Sequence, residues 1–134
     1  MMAQQQAQTS RAGAIELKGL KVLVVEDESM VCMLMEDMLH DLGCTVVGTV
    51  ARFDDALKRA TDGPAFDVAL LDVNLNGKQT FPIAELLAAR GMRFIFATGY
   101  GESILPQSLQ GGPILQKPFE LTALEKALRR ALAQ

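Results

Sequence analysis

Four places along this chain carry side chains that could do chemistry together if the fold brings them to one point. They are the acidic run Glu26-Asp27-Glu28, then Asp72, Thr98 and Lys117. Each closes a short apolar stretch: residues 20–25, 66–71, 93–97 and 113–116. Two or three carboxylates within about 4–6 Å repel by several kcal/mol once water is excluded. A divalent cation relieves that repulsion. Hard oxygen ligands beside a lysine suit Mg2+, which keeps waters and binds through one or two carboxylates plus a phosphoryl oxygen. A carboxylate facing the open coordination position is a nucleophile toward phosphorus. The lysine and the threonine hydroxyl then stabilise the oxygens that carry charge in the transition state.

Those side chains can meet only if the elements between them fold in a particular order. Residues 20–25, 45–51, 66–71, 93–97 and 113–116 read as strands, rich in Val, Ile, Leu and Phe. Residues 29–42 place apolar side chains at 31, 34, 35, 38, 39 and 42, one face of a helix, with Ser29 as N-cap and Gly43 as the stop. Residues 54–61 read as a short helix ended by Gly63-Pro64. Residues 80–90 read as another, with Pro82 in its first turn. The last helix shows Leu121, Leu124, Leu128 and Leu132 on one side, and Thr122 with Glu125 fits a capping box. Five strands alternating with helices predict an α/β fold: a doubly wound, five-stranded parallel sheet with helices on both faces. In such sheets the site lies beyond the carboxyl ends of the strands, where all four chemical positions fall.

Composition bounds the function from outside. The 134 residues are 49% hydrophobic, enough for one packed domain and no second. Residues 1–18 carry few large apolar groups and no secretory pattern, and read as a flexible tail before a domain at 19–134. The net charge is −3; without Arg11, Glu16 and Lys18 the domain keeps 11 basic and 15 acidic residues, hence −4. That balance argues against nucleic acid or an anionic membrane as the partner, and no apolar run is long enough to span a bilayer. Cys32 and Cys44 read as reduced thiols, which points to the cytoplasm. His40, the only histidine, has no partners for a metal or catalytic role. Gly77-Lys78 lacks the Ser or Thr that a phosphate-binding loop needs next.

The motifs VLVVEDES, ALLDVNLNG, FATGY and LQKPF, in this order, resemble the receiver domain of bacterial two-component response regulators over residues 20–132. The resemblance implies a flavodoxin-like receiver fold and a protein that takes a phosphoryl group onto Asp72 from a histidine kinase or histidine phosphotransfer protein. It implies Mg2+, with Mn2+ as the alternative ion, held directly by Asp27, through water by Glu26, and by Asp72 and the backbone carbonyl of Asn74. Thr98 matches the switch hydroxyl, Lys117 the phosphoryl-binding lysine, and Pro118 the family's cis peptide. Gly99 matches a small residue that leaves the phosphoryl accessible. The protein would then signal as a stand-alone domain without substrate turnover, as a monomer or a phosphorylation-dependent dimer, to an unnamed protein partner. A small Mg2+-dependent phosphohydrolase with an aspartyl nucleophile is the enzymatic alternative, and a phosphorylation-independent pseudo-receiver the other.

Two positions depart from the family pattern. Asn76 stands where most receivers have proline, and Ile114 where they have the switch aromatic, which makes Tyr100 the expected substitute. Pro106 and the glycines at 101, 111 and 112 predict a short or mobile fourth helix. Met30 and Met33 lie off the buried face of the first helix and are candidates for partner docking.

Overall fold

The computed structural model describes residues 16–99 and 105–133. Strand β1 (Lys21–Val25) leads to helix α1 (Ser29–Asp41) and strand β2 (Thr45–Val50), followed by α2 (Phe53–Asp62) and β3 (Val68–Asp72). Helix α3 (Phe81–Ala89), β4 (Arg93–Thr98), a 3-10 turn at Gln107–Leu109, β5 (Ile114–Gln116) and α4 (Leu121–Ala133) complete the order. The five strands form one parallel sheet in the order β2-β1-β3-β4-β5.

Each central strand is apolar on both sides because each side is covered. Val22, Val24, Val68, Leu70, Ile95, Ala97 and Leu115 pack against Met35 and Leu39 of α1 and Leu124 and Leu128 of α4. Their neighbours Leu23, Val25, Ala69, Leu71 and Phe96 face the other way, onto Ala56 and Ala60 of α2 and Ile83, Ala84 and Leu87 of α3. The period-two alternation thus sorts one run of residues into two cores. All five residues of β3, in the middle of the sheet, are buried.

Several local expectations are corrected. Leu17 is only 4% exposed and belongs to the α1/α4 core. A turn in which the Leu20 amide donates to Leu17 O, at 3.0 Å, brings both leucines to one side. Ordered packing therefore begins inside the segment assigned to the tail, whose residues 1–15 lie outside the described ones. Glu28, not Ser29, is the N-cap of α1, and no side chain caps it. The Glu26 carboxylate accepts the Glu28 amide at 3.1 Å and organises that turn one residue early. Helix α4 starts at Leu121, so Thr122 lies inside its first turn and forms no capping box; Leu121 is 36% exposed. Leu34, expected among the buried positions of α1, is 57% exposed.

The sequence reading also lacks one element. Asn74–Leu75 and Lys78–Gln79 pair antiparallel as a small hairpin directly after β3. Its turn residues Asn76 and Gly77 have φ of 52° and 86°. That is the left-handed pair a type I′ turn requires, and Asn-Gly is its strongest sequence signal. The described part of the segment between β4 and β5 includes the 3-10 turn, with Leu105 and Leu109 buried against Phe96 and its neighbours; residues 100–104 of the expected fourth helix lie outside the described ones.

Candidate functional site

The strand ends do converge. The Glu26 amide donates to Val50 O at 2.9 Å, extending the β1–β2 ladder by one residue and fixing Glu26 at the rim of the sheet. Asp72 is the last residue of β3, Thr98 the last of β4, and the Lys117 amide donates to Thr98 O at 2.7 Å just beyond β5. The Lys117–Pro118 peptide is cis, as the sequence resemblance implied.

At the rim, carboxylate oxygens of Glu26, Asp27 and Asp72 all lie within 4.8 Å of one another. Lys117 Nζ donates to Glu26 Oε1 at 3.1 Å and to Asp72 Oδ2 at 3.2 Å. Glu26 and Asp72 are 2% and 5% exposed, so water does little to screen them. Two buried carboxylates share one ammonium, with Asp27 close by. Burial, followed by the nearby Asp72 charge, pushes the Glu26 carboxyl up to about 7, against the opposing pull of the Glu28 amide and Lys117. Burial works against the charge on Lys117, but Asp72 and Glu26 outweigh it and hold the ammonium above its ordinary range. A cluster of hard oxygen donors with excess negative charge fits a divalent cation of the Mg2+ type.

The hairpin holds one oxygen each of Asp72 and Asp27. Asp72 Oδ1 accepts the Asn74 amide at 3.3 Å, and Asp27 Oδ2 accepts the Asn76 amide at 2.9 Å. Asn74 Oδ1 accepts the Gly77 amide at 2.8 Å, which commits that side chain to the turn. Behind them Thr80, fully buried, donates its hydroxyl to Asp72 O and to Val73 O. Lys78 Nζ stands 5.3 Å from the Phe53 ring centre, a cation–π contact that ties the hairpin to the start of α2.

A cleft of about 640 Å³ opens over this cluster. Asp27, Asp72, Asn74, Thr98, Gly99 and Lys117 form its polar end, and Val31, Leu34, Met35, Met38, Pro118 and Phe119 its apolar flank. Among the described residues, a Cβ on Gly99 would meet nothing within 4 Å. Glu26 lies behind this cleft and lines a smaller one with Ser29, Cys32, Met33 and Glu36. The structure thus brings together Glu26, Asp27, Asp72, Asn74, Thr98, Gly99, Lys117 and Pro118. Met30 and Met33, 78% and 62% exposed, stand on the outer surface of α1 rather than in the cleft. Tyr100 lies outside the described residues. Sequence reasoning missed Thr80 and the outward face of Leu34. A buried threonine eight residues past an aspartate leaves no pattern, and a cleft leucine has the same apolar signature as a core one.

A family model described as the response regulator receiver domain matches residues 22–129. Among solved structures, SdrG from Sphingomonas melonis Fr1 is 41% identical with a TM-score of 0.75, covering 88% of this chain and 99% of that one. The receiver domain of the sensor histidine kinase PA1611 from Pseudomonas aeruginosa PAO1, solved with a magnesium ion coordinated in its active site cleft, is 26% identical. Its TM-score is 0.69, with 87% and 99% of the two chains covered. The phyllosphere-induced regulator PhyR of Methylorubrum extorquens is 26% identical over 115 residues, 84% of this chain but 43% of its own length. Ethylene receptor 2 of Arabidopsis thaliana is 29% identical over 126 residues, which are 16% of its length. The chain therefore spans less than half of the curated relatives it matches.

Proposed function

Since the chain belongs to the response regulator receiver domain family, whose members are signalling domains, we propose that it accepts a phosphoryl group on Asp72. The donor is the phosphorylated histidine of a kinase or phosphotransfer protein. A carboxylate oxygen of Asp72 attacks phosphorus, the P–N bond breaks, and its electron pair stays on the imidazole nitrogen. The product is a mixed anhydride on a buried side chain. Glu26, Asp27, Asp72 and the Asn74 carbonyl would hold Mg2+, which when bound neutralises the phosphoryl oxygens. Lys117 holds the Asp72 carboxylate in place and supplies an ammonium to the incoming charge. Thr98 and Gly99 line the cleft through which the phosphoryl enters, and the open space beside Gly99 leaves it accessible. Tyr100, two residues past Thr98, is proposed to take part in the switch.

The observation that carries this reading is the buried Asp72 carboxylate sharing Lys117 with Glu26 while Asp27 lies within reach of the same point. The likeness to PA1611, crystallised with magnesium in its cleft, supports the same ion here. The domain is proposed to act from the cytoplasm, in keeping with the free Cys32 and Cys44, and to pass its signal through a protein partner, as a monomer or a phosphorylation-dependent dimer. Leu34 on the apolar flank of the cleft, and exposed Met30 and Met33 on the outer surface of α1 with Glu36 and Asp37, suit a donor helix that is apolar with basic edges.

The phosphohydrolase alternative is disfavoured by Asn74, which stands where a second acid would act and whose side chain is bonded into the hairpin. The test is labelling with a phosphorylated kinase domain or a small acyl phosphate plus Mg2+. One phosphoryl per chain is expected, and none on Asp72→Asn. Equal labelling of both proteins overturns the assignment, sustained ester turnover favours the hydrolase, and no labelling of either favours the pseudo-receiver.

A further inference from the structure

Resting on that reading of the site, the geometry points to Thr80 and the hairpin it anchors as the device that positions Asp72 and Asp27 for the cation. Thr80 touches neither the cleft nor any carboxylate. Its hydroxyl donates to Asp72 O and Val73 O, and its amide also donates to Val73 O, at 2.9 Å. Where β3 leaves the sheet, the carbonyl of Asp72 thus has a fixed partner eight residues ahead. That closure forces the intervening residues back on themselves as the Asn76-Gly77 hairpin. The hairpin returns two backbone amides to the carboxylates, Asn74 to Asp72 and Asn76 to Asp27. Each bond fixes one oxygen of its carboxylate, in residues that each bring an oxygen within 4.8 Å of the shared cluster. Thr80 is therefore a positioning residue: it holds a strand end, the strand end holds a hairpin, and the hairpin aims two carboxylates. The cation–π contact of Lys78 with Phe53 keeps the hairpin from swinging away.

The pair Thr80→Val and Thr80→Ser separates this role from packing, because valine keeps the shape and serine keeps the hydroxyl. Two measurements are made on the full chain. Without metal, solvent exchange of the Asn76 amide is followed by NMR with the Val24 amide as the core reference. With metal, the Mg2+ dissociation constant is taken from titration. Thr80→Val is expected to speed Asn76 exchange and to raise the Mg2+ dissociation constant, each by about tenfold, the effect of one buried hydrogen bond. Val24 exchange should move less, and Thr80→Ser should restore both readings to within about twofold. Equal acceleration of Val24 and Asn76 would mean a merely structural threonine and overturns the proposal, as does an unchanged Mg2+ constant in Thr80→Val. If the native chain fails to bind Mg2+ at all, the metal reading falls. The metal-free exchange then still decides whether Thr80 holds the hairpin.

Discussion

Glu26 and Asp72 reach for one ammonium, and a single positive charge cannot compensate two buried carboxylates and a third nearby. Burial first, with the Asp72 charge adding to it, raises the Glu26 carboxyl to about 7 against an ordinary 4.5. A group whose folded value lies above its unfolded one binds more protons in the native state between the two. Stability from this group is therefore present below about pH 4.5 and lost as pH rises through about 7. Metal-free protein should unfold at lower urea at pH 8 than at pH 5, and Glu26→Gln should flatten that slope. Asp72→Asn should lower the Glu26 midpoint by removing the adjacent charge. Mg2+ should stabilise more at pH 8, since cation and proton compete for the same oxygens. At this scale the sequence was highly informative: Glu26, Asp27, Asp72, Thr98 and Lys117 each end an apolar run, so their types and places were legible together. What was not legible was the sharing, because only coordinates tell that Glu26 Oε1 and Asp72 Oδ2 address the same nitrogen.

The elements were legible where one physical period dominates and illegible where two needs produce the same pattern. Alternating apolar strands gave the five-stranded sheet to within a residue or two at each end. On α1 the pattern is ambiguous: Leu39 is fully buried and Leu34 lines the cleft, yet both fall on the apolar stripe. Mutation separates them. Leu39→Ala should cost about 2–5 kcal/mol of stability by leaving a cavity, measurable by chemical denaturation. Leu34→Ser should change stability by less than about 0.5 kcal/mol. It should nonetheless slow phosphotransfer from a protein donor about tenfold or more, a loss of about 1.4 kcal/mol at a docking residue, while labelling by a small acyl phosphate is unaffected. The hairpin is legible in principle through Asn76-Gly77, but Asn76 also reads as the place of a missing proline and Gly77 as part of an incomplete phosphate loop, which masks the turn. Gly77→Ala places a Cβ at a φ of 86°. It should cost about 1–2 kcal/mol and weaken Mg2+ binding, read by denaturation and titration on the same sample.

At the scale of the whole molecule, two cores lie back to back across one sheet, and the site sits at the edge where both end. The topology followed from the alternation of strands and helices, because parallel strands need crossovers and right-handed ones leave few arrangements. The stitching between helices left no trace in the sequence. Arg90, just past α3, sends Nη1 to Ala60 O at 2.8 Å and to Arg59 O at 3.4 Å, at the last turn of α2. A cation there meets the negative end of the helix dipole and adds a donor to the last-turn carbonyls, of which Arg59 O also accepts the Gly63 amide at 3.1 Å. Mechanically, this cross-brace makes α2 and α3 one plate instead of two rods. A plate opens all at once. Amides in α2 and α3 should therefore share a single opening free energy in native-state hydrogen exchange, and Arg90→Ala should split it into two, with the end of α2 fraying first. Any shape change begun at the strand ends would then leave that side stiff and be expressed on the opposite flank, where Leu34 and Met33 face the solvent.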